Sequence, residues 1–332
     1  MLKARTTILG TLGILNFRHL LSETLHWIYR IVYSCTHFKE EPEKLIMANV
    51  DTNSWRYKFK LFIKNKLALV GLIILIFIFV LVFFGPALSG YDPFNVDFSV
   101  KLQAPSADHF LGTDNYGRDV MSRIFTGARY TLLAAVVSVV IGLILGAPLG
   151  VISGYFGRKV DLIIMRFVDI LLAFPPLILA MAIVSGLGPS LLNAAVAIGI
   201  SYIPIFARMA RSRAISVKNM DYIQSAIALG SSRMRIILTD VLPNSMTPLI
   251  VQATIYTGYG ILWVASLSFI GLGAKLPIPE WGLMIAEGRQ YIISGEWWMT
   301  VFPGLFIMLG VTGFTLIGDG IREVINPKLR LK

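Results

Sequence analysis

Across its 332 residues the sequence has one cysteine, Cys35, four histidines (His19, His26, His37, His109) and only 15% charged residues. A lone cysteine excludes a disulfide framework, a cysteine-rich zinc site and any CxxC redox pair. None of the histidines lies in an uncharged run long enough to span a membrane, so a membrane-embedded metal site or a histidine proton relay has almost no candidates. No Gly-Lys dipeptide occurs, which removes the GxxxxGK[ST] phosphate loop, and GxSxG and HExxH are absent too. Soluble domains carry about 25% charged residues, so this scarcity argues against a soluble enzyme. The expectation is a chain with no metal, no cofactor and no catalytic residue of its own.

What the sequence has in abundance is long apolar stretches: 55% of its residues are hydrophobic and the mean hydropathy is +0.71. A helix needs about 20 apolar residues to cross a bilayer. Leu67–Leu88 is uncharged over 22 residues and Tyr130–Gly157 over 28, giving a first and a second span. The run Ile170–Ala207 is uncharged over 38 residues, too long for one crossing, and Gly186-Leu187-Gly188-Pro189-Ser190 divides it into a third and a fourth. Val241–Ala274 supplies a fifth, and Trp297–Gly318 a sixth that opens with the paired interfacial aromatics Trp297 and Trp298. The fold class is all-α and polytopic, with six transmembrane helices.

Charge placement orients the spans. Residues 56–66, the connection Arg158–Arg166, the stretch 208–235 and the C-terminal tail together hold 18 lysines and arginines, against six on the two long loops of the other side. The positive-inside rule places both ends of the six-span body in the cytoplasm. The net charge of +11 therefore reports topology, with no nucleic-acid role.

Residues 1–46 stand apart. Ile8–Tyr33 is apolar but interrupted by Arg18, His19, Glu23, His26 and Arg30, and it lacks a small-residue cleavage site. Two readings stay open: an interfacial amphipathic helix, or untranslated residues ahead of a true start at Met47. The Lys39-Glu40-Glu41 triplet, which a purine-rich ribosome-binding stretch could encode, favours the second. Ionisable groups near the membrane are few: Arg166 and Asp169 early in the third span and Asp319 at the end of the sixth, read as snorkelling or as an i, i+3 ion pair.

Three patterns carry information. Gly142, Gly146, Gly150 and Gly154 recur every four residues in the second span, a stripe that lets another backbone approach closely. Pro148 in that span and Pro175-Pro176 in the third supply kinks or broken hydrogen bonds. In the stretch after the fourth span, Ile223, Ala226, Ile227 and Gly230 share one face of a short amphipathic helix, with Asp221 as N-cap and Gly230 as C-terminal stop. Such a helix among arginines suits either docking into a partner's groove or lying on anionic lipid. Finally, Gly112-Thr113-Asp114, Gly117-Arg118-Asp119 and Ser122-Arg123 precede the second span, read as a salt-bridged outer loop.

The stretch after the fourth span resembles the EAA loop of binding-protein-dependent ABC importer permeases. Ala226, Gly230, Leu242 and Pro243 match in register, whereas Gln224, Ser225 and Asp240 replace a glutamate, an alanine and an isoleucine. The outer loop resembles the GTDxxGRDxxSR signature of the dipeptide, oligopeptide and nickel branch, C-type subunit. Phe269–Gly273, Pro279-Glu280-Trp281-Gly282, Gly318-Asp319-Gly320 and the tail Asn326-Pro327-Lys328-Leu329 fit the same subunit.

The resemblance, which covers roughly residues 55–332, implies a type I, MetI-like permease core. The implied division is an extension 1–46, a segment 47–110 with the basic stretch, first span and outer loop, a core 111–320 with five spans and a cytoplasmic coupling loop 208–243, and a tail 321–332. It implies a heterodimer with a second permease, two ATPase subunits that carry ATP and magnesium, and an extracytoplasmic solute-binding protein. The ATPase would dock on Asp221, Tyr222, Gln224, Ser225, Ala226, Gly230, Leu242 and Pro243. The substrate would be a dipeptide or oligopeptide, with a nickel chelate or glutathione as alternatives. A secondary transporter would need midplane charges or an inverted repeat, and a membrane scaffold would not need the Gly230 to Leu242-Pro243 framework. The segment 277–297 is expected to fold in part as an amphipathic outer helix with Trp281 at the interface.

Overall fold

The computed structural model describes residues 55–325, and all of its regular elements are helical. The N-terminal extension, Met47, Cys35 and the tail motif Asn326-Pro327-Lys328-Leu329 lie outside the described residues.

A basic helix α1 (Trp55–Lys64) leads into α2 (Lys66–Ser89), the first span. Asn65 caps α2 by accepting from the Ala68 amide at 3.0 Å. Its Ile73, Ile76, Phe77, Phe79 and Val80 are exposed, an aliphatic and aromatic surface suited to lipid. The second span, α3 (Val120–Phe156), starts ten residues earlier than its uncharged run. Arg123 and Arg129 lie inside it, because helical hydrogen bonding does not stop where hydropathy does. Helix α3 continues through Pro148, as membrane helices often do.

The third span is not one straight helix. α4 (Arg158–Leu172) and α5 (Pro176–Leu187) meet at 88°. The cause is local: Pro176 lacks an amide hydrogen and takes the first helical position of α5, while Pro175 is held extended before it. The fourth span, α6 (Leu191–Lys218), runs well past its uncharged stretch, so positions 208–218 are three further helical turns rather than loop. A short helix α7 (Asp221–Ala228) follows, then α8 (Arg233–Ile236) and a π turn. The remaining elements are α9 (Leu242–Phe269), α10 (Trp281–Gly288) and α11 (Trp298–Ile325).

The glycine stripe fixes how the bundle is threaded. A Cβ placed on Gly142, Gly146, Gly150 or Gly154 would lie 2.6, 2.9, 2.7 or 2.9 Å from the Cβ of Tyr202, Phe206, Ala210 or Ala214. The offset is 60 positions each time, so α3 and α6 run parallel and in register. A parallel pair requires the chain between them to return to its starting end. The α4–α5 pair is therefore a crossing, and the six-span count stands with one span broken. Elsewhere neighbours are antiparallel: Gly71 abuts Leu316 and Gly320 abuts Ala68 between α2 and α11, and Gly318 abuts Ile255 between α11 and α9.

Candidate functional site

Two regions carry the residues singled out in the sequence, one at each end of the bundle. At the basic end, α7 hangs between α6 and α9. Ile223 is fully buried in the core beside Val217, Ile236, Ile237 and Val241 and anchors the helix. Ala226 packs partly against the same core, and the remainder faces outward: Tyr222 and Ile227 are exposed and Leu229 is 86% exposed. Asp221 is not the N-cap. That position is Met220, without a side-chain cap bond, and Asp221 is the first helical residue, where its charge favours the helix dipole.

Gly230 ends the helix in a Schellman motif. Its φ is +82°, its amide donates to the Ile227 carbonyl at 3.0 Å, and the Ser231 amide donates to the Ala226 carbonyl at 3.0 Å. Apart from its chain neighbours, no atom of the described residues lies within 4 Å of where its Cβ would be, so among them the glycine answers a conformational need. Gln224 donates to the Lys218 carbonyl at 2.9 Å, tying α7 to the end of α6, and Ser225 donates to the Asp221 carbonyl at 2.9 Å within α7. Asn244 bridges the Tyr222 hydroxyl at 3.2 Å and the Asp240 carbonyl at 2.6 Å. Leu242 is half-buried and Pro243 exposed where α9 begins.

Two arginines of α6, Arg208 and Arg211, are used within the bundle. Arg211 makes a two-pronged contact with Asp161 at 2.5 and 2.6 Å, joining α6 to α4. Asp169 pairs with Arg208 at 2.7 Å, a contact from α4 to α6 in place of an i, i+3 pair with Arg166.

At the other end, the outer signature folds into a buried lock. Asp114, Arg118, Asp119 and Arg123 are all buried, Arg123 to 99%. Arg118 Nε donates to Asp114 at 2.6 Å, and Arg123 bonds the same carboxylate oxygen. Each arginine then reaches Glu287 at the end of α10, one to each carboxylate oxygen, both at 2.8 Å. Two cations thus face two carboxylates, the arrangement that makes burial of such charges tolerable. Asp119 takes no part. It caps α3 by accepting from the Ser122 amide at 2.7 Å and contacts His109 Nδ1 at 3.0 Å. Gly117 sits at φ +74° with its α-carbon so close to the Asp97 carbonyl that a Cβ would overlap it. The Cβ of a residue at 112 would strike the Trp298 indole, whose Nε1 donates to the Thr113 carbonyl at 3.0 Å. Ser122 donates to the Tyr91 carbonyl at 2.8 Å.

Pro279–Gly282 forms a second clamp. Trp281 is fully buried, not interfacial as expected, and its indole donates to the Ile124 carbonyl at 2.9 Å. Glu280 is also fully buried, caps α10 through the Leu283 amide at 2.9 Å and receives the Thr131 hydroxyl at 3.2 Å. Burial pushes its carboxyl up from the ordinary value, against the pull of those donors. Glu287 and His109 escaped the sequence reading: a carboxylate 164 positions from its arginine leaves no local signal. Glu280 had one, an acidic residue just ahead of an apolar helix start.

Residues 146–331 match the family model described as "Binding-protein-dependent transport system inner membrane component", and residues 53–105 match "N-terminal TM domain of oligopeptide transport permease C". The dipeptide transport system permease protein DppC of Alkalihalophilus pseudofirmus is 48% identical over 276 residues, 83% of this chain and 90% of that one. The probable D,D-dipeptide transport system permease protein DdpC of Escherichia coli is 44% identical over 264 residues, covering 80% and 88%. Among solved structures, a chain of the MetNI methionine ABC transporter in an inward-facing conformation aligns with a TM-score of 0.50 at 22% identity, covering 62% of this chain and 97% of that one. At that identity the likeness concerns the fold alone.

Proposed function

The chain belongs to the binding-protein-dependent transport system inner membrane component family, and from that membership we propose that it is the C-type permease subunit of an ATP-driven importer of dipeptides or short oligopeptides. It forms the translocation pathway with a second, non-identical permease. An extracytoplasmic binding protein delivers the peptide at the signature end. Two ATPase subunits, which hold ATP and magnesium, sit at the basic end. The surplus of lysine and arginine at that end supports its cytoplasmic placement, and with it the placement of both ends of the six-span body.

The observation that carries the reading is the shape of α7. Ile223, fully buried, fastens it to the core, while Tyr222, Ile227 and Leu229 stand outside as apolar contacts with nothing among the described residues to cover them. A short helix held this way moves with α6 and α9, so a partner gripping it transmits force to both. ATP binding on the partners draws the docked helices together and opens the pathway outward, and hydrolysis resets it. This chain supplies the pathway and the mechanical link.

The test is a mild-detergent pull-down of the tagged chain from native membranes, with uptake of labelled dipeptide measured alongside. Recovery of an ATPase and a second six-span permease, with dipeptide uptake above nickel uptake, is the expected result. Recovery of the chain alone from membranes where it transports would overturn the proposal in favour of a self-sufficient transporter.

A further inference from the structure

The peptide reading leaves open which residues of the pathway touch the solute, and a cluster at mid-membrane depth supplies candidates. Helix α9 is 28 residues long, and along it Gln252, Tyr256, Tyr259 and Trp263 are partly or largely exposed at spacings of four, three and four. This spacing puts them on one helical face. The face differs from the exposed surface of α2, which is aliphatic and phenylalanine-rich. Lipid tails offer no hydrogen-bond partner, so a stripe of phenols and an amide near the midpoint of a span is out of place against them.

Tyr202 on α6 completes the cluster. Its ring lies 4.9 Å from Tyr256 at 86°, and Tyr256 in turn lies 5.7 Å from Tyr259. Tyr202 is 98% buried, yet its hydroxyl has no hydrogen-bond partner among the described residues. A buried hydroxyl left unmet is unfavourable enough that native structures rarely keep one without a reason. The hydroxyls of Tyr256 and Tyr259 also make no bond to the described residues. Gly142 makes room for the arrangement, since its missing Cβ would lie 2.6 Å from the Tyr202 Cβ.

Resting on the peptide-importer reading, we infer that Tyr256 and Tyr259, with Gln252 toward the basic end and Tyr202 backing them, form part of the wall that the solute touches in transit. The ligand chemistry is the amide N–H and C=O of a short peptide backbone. Tyrosine suits a transporter of varied sequences: the ring face accepts apolar side chains, and the hydroxyl both donates and accepts toward the backbone that every peptide shares.

The experiment uses the complete transporter in native membranes with Cys35 replaced by serine. Tyr259→Cys and, as a lipid-facing control on α2, Ile76→Cys are exposed to a charged, membrane-impermeant methanethiosulfonate reagent. The expected result is modification of Tyr259→Cys, slowed several-fold by saturating dipeptide, with Ile76→Cys unmodified. Tyr256→Phe and Tyr259→Phe, which keep the rings, are expected to raise the KM for dipeptide uptake about 3- to 10-fold, the range for one lost hydrogen bond, with the maximal rate little changed. An unreactive Tyr259→Cys in a transporter that still takes up dipeptide would overturn the wall and assign the stripe to lipid or subunit packing. So would an unchanged KM in both phenylalanine variants. Modification in a parent that takes up no dipeptide would overturn the substrate class and leave a wetted wall.

Discussion

Arg123 and Glu287 stand 164 positions apart in the chain and 2.8 Å apart in the fold. One lies in the first turn of α3, the other near the end of α10, and together with Asp114 and Arg118 they bolt the outer signature to the segment that follows α9. Removing one member of a buried ion pair leaves an uncompensated charge, worth about 3–5 kcal/mol. Glu287→Gln is therefore expected to lower the Tm of the detergent-purified complex markedly, and a Tm within a degree of wild type would contradict the lock.

The Asp169–Arg208 pair is the contrasting case, with both side chains at least half exposed. Exposed pairs contribute about 0–1 kcal/mol. Arg208→Gln is expected to leave the same Tm nearly unchanged, and a loss as large as that of Glu287→Gln would show that α4 depends on this contact.

The parallel α3–α6 interface depends on missing side chains. A Cβ on Gly150 would lie 2.1 Å from the Ala207 carbonyl oxygen, whereas one on Gly186 of α5 would meet nothing within 4 Å. Gly150→Val should force the helices apart at an overpacking cost of about 1–3 kcal/mol or more. The measurable outcome is loss of assembled complex in membranes, with Gly186→Ala assembling normally.

At Gly230 the left-handed backbone and the surrounding open space separate two causes. A non-glycine residue there pays about 1–2 kcal/mol, and asparagine tolerates the conformation better than alanine. Gly230→Asn is expected to retain more peptide-stimulated ATPase than Gly230→Ala. Gly230→Asp, bulky and charged against a partner, should insert normally and lose uptake. Wild-type uptake and ATPase stimulation in Gly230→Asp would sink the docking role of this turn.

Glu280 sets a pH dependence. Burial raises its carboxyl above the ordinary value of 4.5. Its favourable contribution is therefore fully present below the unfolded pKa and lost as pH rises through the folded one. Thermal stability of the wild type relative to Glu280→Gln should fall as pH is raised from about 4.5 toward neutrality. A difference flat with pH would mean that the carboxyl keeps one protonation state throughout.

Much of the fold is legible in the sequence because membrane insertion depends on sums over about 20 consecutive residues, and a sum needs no knowledge of neighbours. The first and sixth spans, Leu67–Leu88 and Trp297–Gly318, fall close to α2 and α11. The same logic overshoots where charge and helicity part company. Arg208 and Arg211 end an uncharged run but not a helix, since α6 continues and Asp169 and Asp161 receive them. The short helix after the fourth span is visible from its spacing, yet only the fold tells Ile223, which anchors it, from Ile227, which stands exposed on nearly the same face.

The sequence alone determined the number of crossings, the basic end and the glycine stripe, since each depends on residues near one another in the chain. Tertiary structure decided what those features meet. It ran α3 and α6 parallel by bending the third span through 88° at Pro175-Pro176, drew Glu287 onto Arg118 and Arg123, and left the Tyr202 hydroxyl without a partner among the described residues. The α3–α6 and Glu287 contacts are pairings across 60 or more positions, settled by which packed arrangement brings helix surfaces and buried charges together.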